Sequence, residues 1–191
     1  DITRFERKGL FAFFDCYSAL LGLKSKEKFF VRDTTNLRQI DEKLTKAMEA
    51  MQDDNLFVVF DSLSSLIDLC GNKAVNYLAD WLKKAKKLNA SFVVLFTEWP
   101  YDKDTLASVR KPFDCVVDLK AIERKIILRN YFSVSKANWI KEGKRHEIPF
   151  KIVSPGGVHV YIPKILVTGP FNAGKSSFIH SASVKAVSVD R

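Results

Sequence analysis

Three short and almost purely apolar runs recur in the first 120 residues, with helical patterns between them. The runs cover residues 56–60, 91–97 and 113–119. A continuous apolar run of this length is typical of a strand that is buried on both faces of a sheet. Strands that alternate with helices favour a parallel sheet flanked by helices. We therefore predict an α/β fold with a mainly parallel sheet over residues 9–119, including shorter strands at 10–14 and 28–31.

The segments between these strands carry apolar residues at helical spacing. The first helix follows Thr34, Thr35 and Asn36, whose side chains are suited to cap a helix amino terminus. Its inner face is predicted to consist of Leu37, Ile40, Leu44, Ala47 and Met51. A second, lysine-rich helix has its apolar side on Val75, Leu78, Leu82 and Ala85.

The pattern changes after Lys120, where strands follow one another without helices between them. These strands are predicted at residues 125–134, 147–153 and 157–162, and the sequence Pro155-Gly156-Gly157 is a turn signal between the last two. We therefore expect antiparallel strands over residues 125–161, after the parallel sheet.

Near the end of the chain, Gly169, Gly174, Lys175 and Ser176 fit the pattern G-x-x-x-x-G-K-[ST]. Such a loop surrounds phosphates with main-chain N–H groups, its lysine reaches the β- and γ-phosphates, and its serine hydroxyl binds Mg²⁺. The following helix turns its positive amino terminus toward the anion. The sequence therefore predicts a site for Mg²⁺ with GTP or ATP. The nucleotide-binding residues are predicted to be Gly169, Pro170, Phe171, Asn172, Ala173, Gly174, Lys175, Ser176 and Ser177.

The residues around this loop have the required order of strand, loop and helix. Residues 164–168 form a short apolar run, and residues 177–183 are predicted to begin a helix with Phe178 and Ile179 facing inward.

The net charge of +9 favours anionic partners, either nucleotide phosphates or nucleic acid. The densest basic run, Lys83, Lys84, Lys86 and Lys87, is interpreted as the solvated side of the lysine-rich helix. No apolar run is long enough to span a membrane, and no signal peptide is visible. The three cysteines lie far apart, which favours reduced thiols and a cytoplasmic protein.

Several stretches, in their order along the chain, resemble the second half of a KaiC/RecA-like ATPase domain. They are FFDCYSALLG, FVVFDSLSSLI, VVLFTEW, FDCVVDLK and NYFSVSKANW followed by IPFKIVSPGGVHVY, and together they cover about residues 1–161. The resemblance implies that Asp61, followed by Ser62, is the Walker B carboxylate that binds Mg²⁺. It also implies that Thr97 or Glu98 senses the γ-phosphate.

The same resemblance implies a homo-oligomer, in which Lys136 reaches the nucleotide of a neighbouring subunit. The chain departs from the family in two respects. Asn138 replaces a basic residue that is usual near Lys136, and the family's own phosphate loop and catalytic glutamates lie upstream of the residues matched here. Residues 1–161 alone are therefore not expected to form a working ATPase.

The end of the chain resembles a different family. The sequence KILVTGPFNAGKSSFI followed by SVKAVSVDR is similar to the opening of a small GTPase of the Arf/MglA type, over about residues 164–191. The resemblance implies a first strand, a phosphate loop and a first helix. The switch regions and the guanine-reading loop of that family would follow Arg191.

Three interpretations remain open. In the first, the chain is a segment of a GTPase-linked molecular switch, in which Asp61 and Lys175 belong to different domains. In the second, it is a permuted P-loop domain in which Asp61 works with Lys175 and Ser176, and strand 164–168 fills the parallel sheet. In the third, the RecA-like part is a non-catalytic module for assembly or nucleic-acid binding. We favour the first interpretation.

Overall fold

The structure is a computed structural model that describes residues 2–51, 55–124, 127–140, 147–161 and 167–182. It divides into two compact units, residues 1–114 and residues 115–191. The predicted division between a 1–161 module and a 164–191 segment concerns sequence families, and it stays a prediction.

The first unit alternates helices with short strands. In chain order its elements are α1 (Ile2–Arg7), β1 (Phe14–Asp15), a 3-10 turn (Ser18–Leu21), β2 (Phe29–Phe30), α2 (Leu37–Ala50), β3 (Phe57–Phe60), α3 (Leu63–Cys70), α4 (Lys73–Lys87), β4 (Ser91–Val94) and α5 (Lys103–Arg110). Strand β1 pairs in parallel with β2, and β3 pairs in parallel with β4. The prediction of parallel strands is confirmed for these two pairs, but in the described residues they form two separate two-stranded sheets and not one. Helices α3 and α4 lie between β3 and β4, as predicted, whereas only the 3-10 turn lies between β1 and β2.

Strands β3 and β4 are covered on one face only. Their exposure alternates along the chain, so that Val58 and Phe60 pack against the core while Phe57 and Val59 are exposed. The prediction that the 56–60 run is buried on both faces was therefore wrong for the described residues. A run of apolar residues shows only that a strand has no charged side chains. Whether each face of the strand is buried depends on which other elements pack against it.

The core of the first unit lies between the inner face of β3–β4 and helices α2, α3 and α4. Asn36 caps α2, as predicted, because its side chain accepts a hydrogen bond from the main-chain N–H of Gln39. Trp81 of α4 is completely buried, and its indole N–H donates to Asp41 Oδ1 at 2.9 Å. Met48 is buried at the end of α2, whereas the predicted Met51 lies just beyond the helix and is half-buried.

The second unit contains a four-stranded antiparallel sheet. Its strands are β5 (Cys115–Arg124), β6 (Ile127–Ala137), β7 (Ile148–Val153) and β8 (Gly157–Val160), paired in that order, and helix α6 (Lys175–Ala182) follows. The predicted antiparallel strands are confirmed, with a tight turn before Gly157, whose φ is 74°.

The antiparallel sheet begins earlier than predicted. The 113–119 run was assigned to the parallel sheet, but β5 pairs antiparallel with β6 along its whole length, from Cys115 opposite Ala137 to Arg124 opposite Ile127. A hairpin between sequence neighbours forms from local contacts, whereas a place in the parallel sheet requires pairing with a distant strand.

Within the described ranges, no helix is both long and apolar enough to cross a membrane.

Candidate functional site

The predicted phosphate loop forms a tight turn immediately before helix α6. The main-chain N–H of Ala173 donates to the carbonyl of Pro170 at 3.3 Å, and Asn172 has a φ of 59°. Gly174 has a φ of 74°, a left-handed conformation that residues with a Cβ rarely adopt, although a Cβ there would meet no atom within 4 Å. The glycine is therefore required by the backbone conformation, and lack of space is not the reason.

Lys175 turns back into this loop. Its ammonium donates to the carbonyl oxygen of Gly169 at 2.9 Å and to that of Pro170 at 2.6 Å. Because an ammonium has three donors, two of these bonds leave one donor for a further acceptor. The loop thus holds a fixed positive charge between its first residues and the amino terminus of α6.

Helix α6 begins at Lys175, two residues earlier than predicted, and the N–H of Phe178 bonds to the carbonyl of Gly174 at 2.9 Å. Ser176 and Ser177 are exposed in its first turn. Phe178 and Ile179 were predicted to face inward, but they are 52% and 40% exposed. The prediction assumed a covering layer, and neither side chain is buried within the described part of the chain. The predicted strand at 164–168 lies largely outside the described residues.

A second candidate region is the edge of the first unit where β3 and β4 end. Asp61 directly follows β3 and is exposed, and Ser62 caps helix α3 by accepting a hydrogen bond from the N–H of Ser65. The two strands stay paired beyond their assigned ends, because Leu95 N–H donates to the Phe60 carbonyl and Leu63 N–H donates to the Leu95 carbonyl, both at 2.9 Å. Thr97 and Glu98 follow, so the structure places Asp61, Thr97 and Glu98 at one edge, as carboxyl ends of parallel strands require.

Ser64 links these two strand ends, a role that no local sequence pattern indicates. Its side chain is buried, and its Oγ accepts a hydrogen bond from the main-chain N–H of Thr97 at 3.1 Å. Its carbonyl accepts from the hydroxyl of Tyr101 at 3.4 Å, and that hydroxyl also donates to Asp68 Oδ1 at 3.0 Å. Burial, together with the bond to Asp68 and its negative charge, raises the pKa of Tyr101.

Glu98 and Lys136 were predicted to contact nucleotide, and the structure shows which residues lie next to them. Glu98 forms an exposed ion pair with Arg110, with Nη2 and Oε2 at 3.1 Å. Lys136 lies in β6 opposite Val116, and Asn138 follows that strand. The role of Lys136 at a subunit boundary stays a prediction.

The lysine run on α4 is partly neutralised within the chain. Lys83 pairs with Asp80 at 3.0 Å, and Lys84 pairs with Asp41 at 2.5 Å and also donates to Thr45 Oγ1. Two of the four lysines are thus engaged, which supports the interpretation of a solvated helix face. The described residues include no group of three or more His, Cys, Asp or Glu side chains that could hold a metal ion.

Comparisons with known proteins found one matching family and a similar solved structure. The family model described as "ATPase: KaiC" matches residues 1–165. The fold is similar to the crystal structure of a KaiC-like protein from the hyperthermophilic archaeon Pyrococcus horikoshii, with a TM-score of 0.62 and 21% identity. The match covers 85% of this chain, and the chain spans only 66% of that protein. No curated protein sequence matches the chain.

Proposed function

Because the chain belongs to the KaiC family of ATPases, a family of P-loop nucleotide-binding proteins, we propose that it binds a nucleoside triphosphate with Mg²⁺ through residues 169–176. The observation that carries this proposal is the position of the Lys175 ammonium, held by two loop carbonyls directly before α6. This is also the chain's only G-x-x-x-x-G-K-[ST] sequence, and it lies just beyond the residues that the KaiC model matches.

The loop has the features that a triphosphate needs. The third N–H donor of the Lys175 ammonium would supply a charged hydrogen bond to a phosphate oxygen. The first N–H groups of a helix have no partner within the helix, so the first turn of α6 supplies further donors. The left-handed conformation of Gly174 allows the main chain to turn around the phosphates.

Mg²⁺ fits the oxygen groups available on the chain. It prefers hard oxygen ligands and commonly retains several waters and phosphate oxygens. The exposed hydroxyl of Ser176 would hold it at the loop, where the ion would neutralise phosphate charge. Asp61, the other candidate metal ligand of the sequence, has an exposed carboxylate at the end of β3 in the first unit, and it would join this ion only on the permuted alternative considered below.

We further propose that residues 164–191 belong to a GTPase of the Arf/MglA type, so that the chain is a segment of a GTPase-linked switch. On this proposal the loop prefers neither ATP nor GTP by itself, because its groups contact phosphates and not the base. The resemblance of this segment is the support, and family membership through residues 1–165 favours ATP as the competing ligand.

The alternative to be excluded is the permuted domain, in which Asp61 shares one magnesium with Ser176. The two proposals differ in the expected effect of Asp61→Asn. If the loop works alone, this variant keeps its Mg²⁺-dependent affinity for nucleotide. If the domain is permuted, the variant loses that affinity, because a direct metal ligand has been neutralised.

A titration of the full chain with fluorescent ATP and GTP analogues tests the proposal. We expect binding of both nucleotides, strengthened by Mg²⁺ and abolished by excess unlabelled triphosphate. Absence of binding with and without Mg²⁺ would refute it. A nucleic-acid role has less support, because Lys83 and Lys84 are already paired. Salt-sensitive binding of DNA or RNA by the same preparation would favour that role.

A further inference from the structure

We draw no further inference here: the strongest candidate, the exposed apolar face of the β3–β4 pair that carries Phe57, Val59, Val93 and Leu95, supports no proposal because nothing in the described part of the structure shows what covers it.

Discussion

The main-chain N–H of Thr97 donates to the hydroxyl of Ser64 at 3.1 Å, which ties the end of β4 to the first turn of α3. Because α3 begins immediately after Asp61 and Ser62, this bond fixes the two strand ends that carry the candidate Walker B and sensor residues. Ser64 is only 2% exposed. Removing its hydroxyl would take this acceptor away from the Thr97 N–H.

Ser64→Ala is therefore expected to lower the free energy of unfolding of the first unit by about 1 kcal/mol, the net contribution of one hydrogen bond. Urea unfolding followed by circular dichroism measures the change. Ser65→Ala is the matched control, since Ser65 is exposed one residue further along the same helix. Equal effects of the two variants would contradict a specific role for the Ser64 hydroxyl.

Asp41 on α2 and Asp80 on α4 differ in the burial of the groups to which they are hydrogen-bonded. Asp41 accepts hydrogen bonds from the buried Trp81 indole and from Lys84, whereas Asp80 pairs with Lys83 in solvent. Asp41→Ala should cost about 1–3 kcal/mol, because the Trp81 N–H loses its acceptor. Asp80→Ala should cost less than about 0.5 kcal/mol. Thermal unfolding of both variants measures the difference, and a larger loss in Asp80→Ala would contradict this account.

Asp15 is expected to contribute to the acid sensitivity of the first unit. Hydrogen bonds from Ser18 and Ser25, together with one from the Tyr17 N–H, hold the pKa of Asp15 well below its ordinary value of 3.8. A lowered pKa in the folded state stabilises the fold above pH 3.8, and this stabilisation is lost as the pH falls toward the folded-state pKa. The melting temperature of the wild type should therefore exceed that of Asp15→Asn at pH 6, and the difference should shrink below about pH 4. A difference that is constant with pH would contradict the assignment.

Cys16 is predicted to be an unreactive thiol. Burial, assisted by the negative charge of Asp15, raises the pKa of Cys16 to about 12. Since the thiolate is the nucleophile, iodoacetamide at pH 8 should modify native Cys16 at least about tenfold more slowly than the same cysteine in unfolded chain. Mass spectrometry of timed samples measures both rates. Asp15→Asn should accelerate the native reaction, and identical native and unfolded rates would refute the prediction.

Local patterns in the sequence predicted much of the fold. The sequence predicted the parallel pairing of β3 with β4, the antiparallel strands after residue 120 and helix α6. These features depend on the spacing of apolar residues and on turn-forming residues within short stretches of sequence. The position of Asp61, Thr97 and Glu98 at one edge followed from the rule that carboxyl ends of parallel strands meet.

Features that depend on distant partners were not predicted. The 113–119 run is apolar enough for a parallel sheet, and only its pairing with β6 shows that it belongs to a hairpin. Ser64 is one of several serines after Asp61, and its partner lies 33 residues away, so nothing local distinguishes it. The prediction that Phe178 and Ile179 face inward was wrong for a similar reason, since the burial of a side chain depends on the elements that pack against its helix.

The most direct test of the central claim is the affinity of the full chain for Mg²⁺ and a nucleoside triphosphate, with and without Lys175. Lys175→Ala removes the ammonium held by the Gly169 and Pro170 carbonyls. A lost hydrogen bond to a charged group corresponds to roughly a tenfold to hundredfold weakening. Lys87→Ala, on the exposed side of α4, removes the same charge elsewhere and serves as the control. The account predicts that Lys175→Ala weakens binding at least tenfold while Lys87→Ala leaves it unchanged, and equal affinity of Lys175→Ala and the wild type would contradict it.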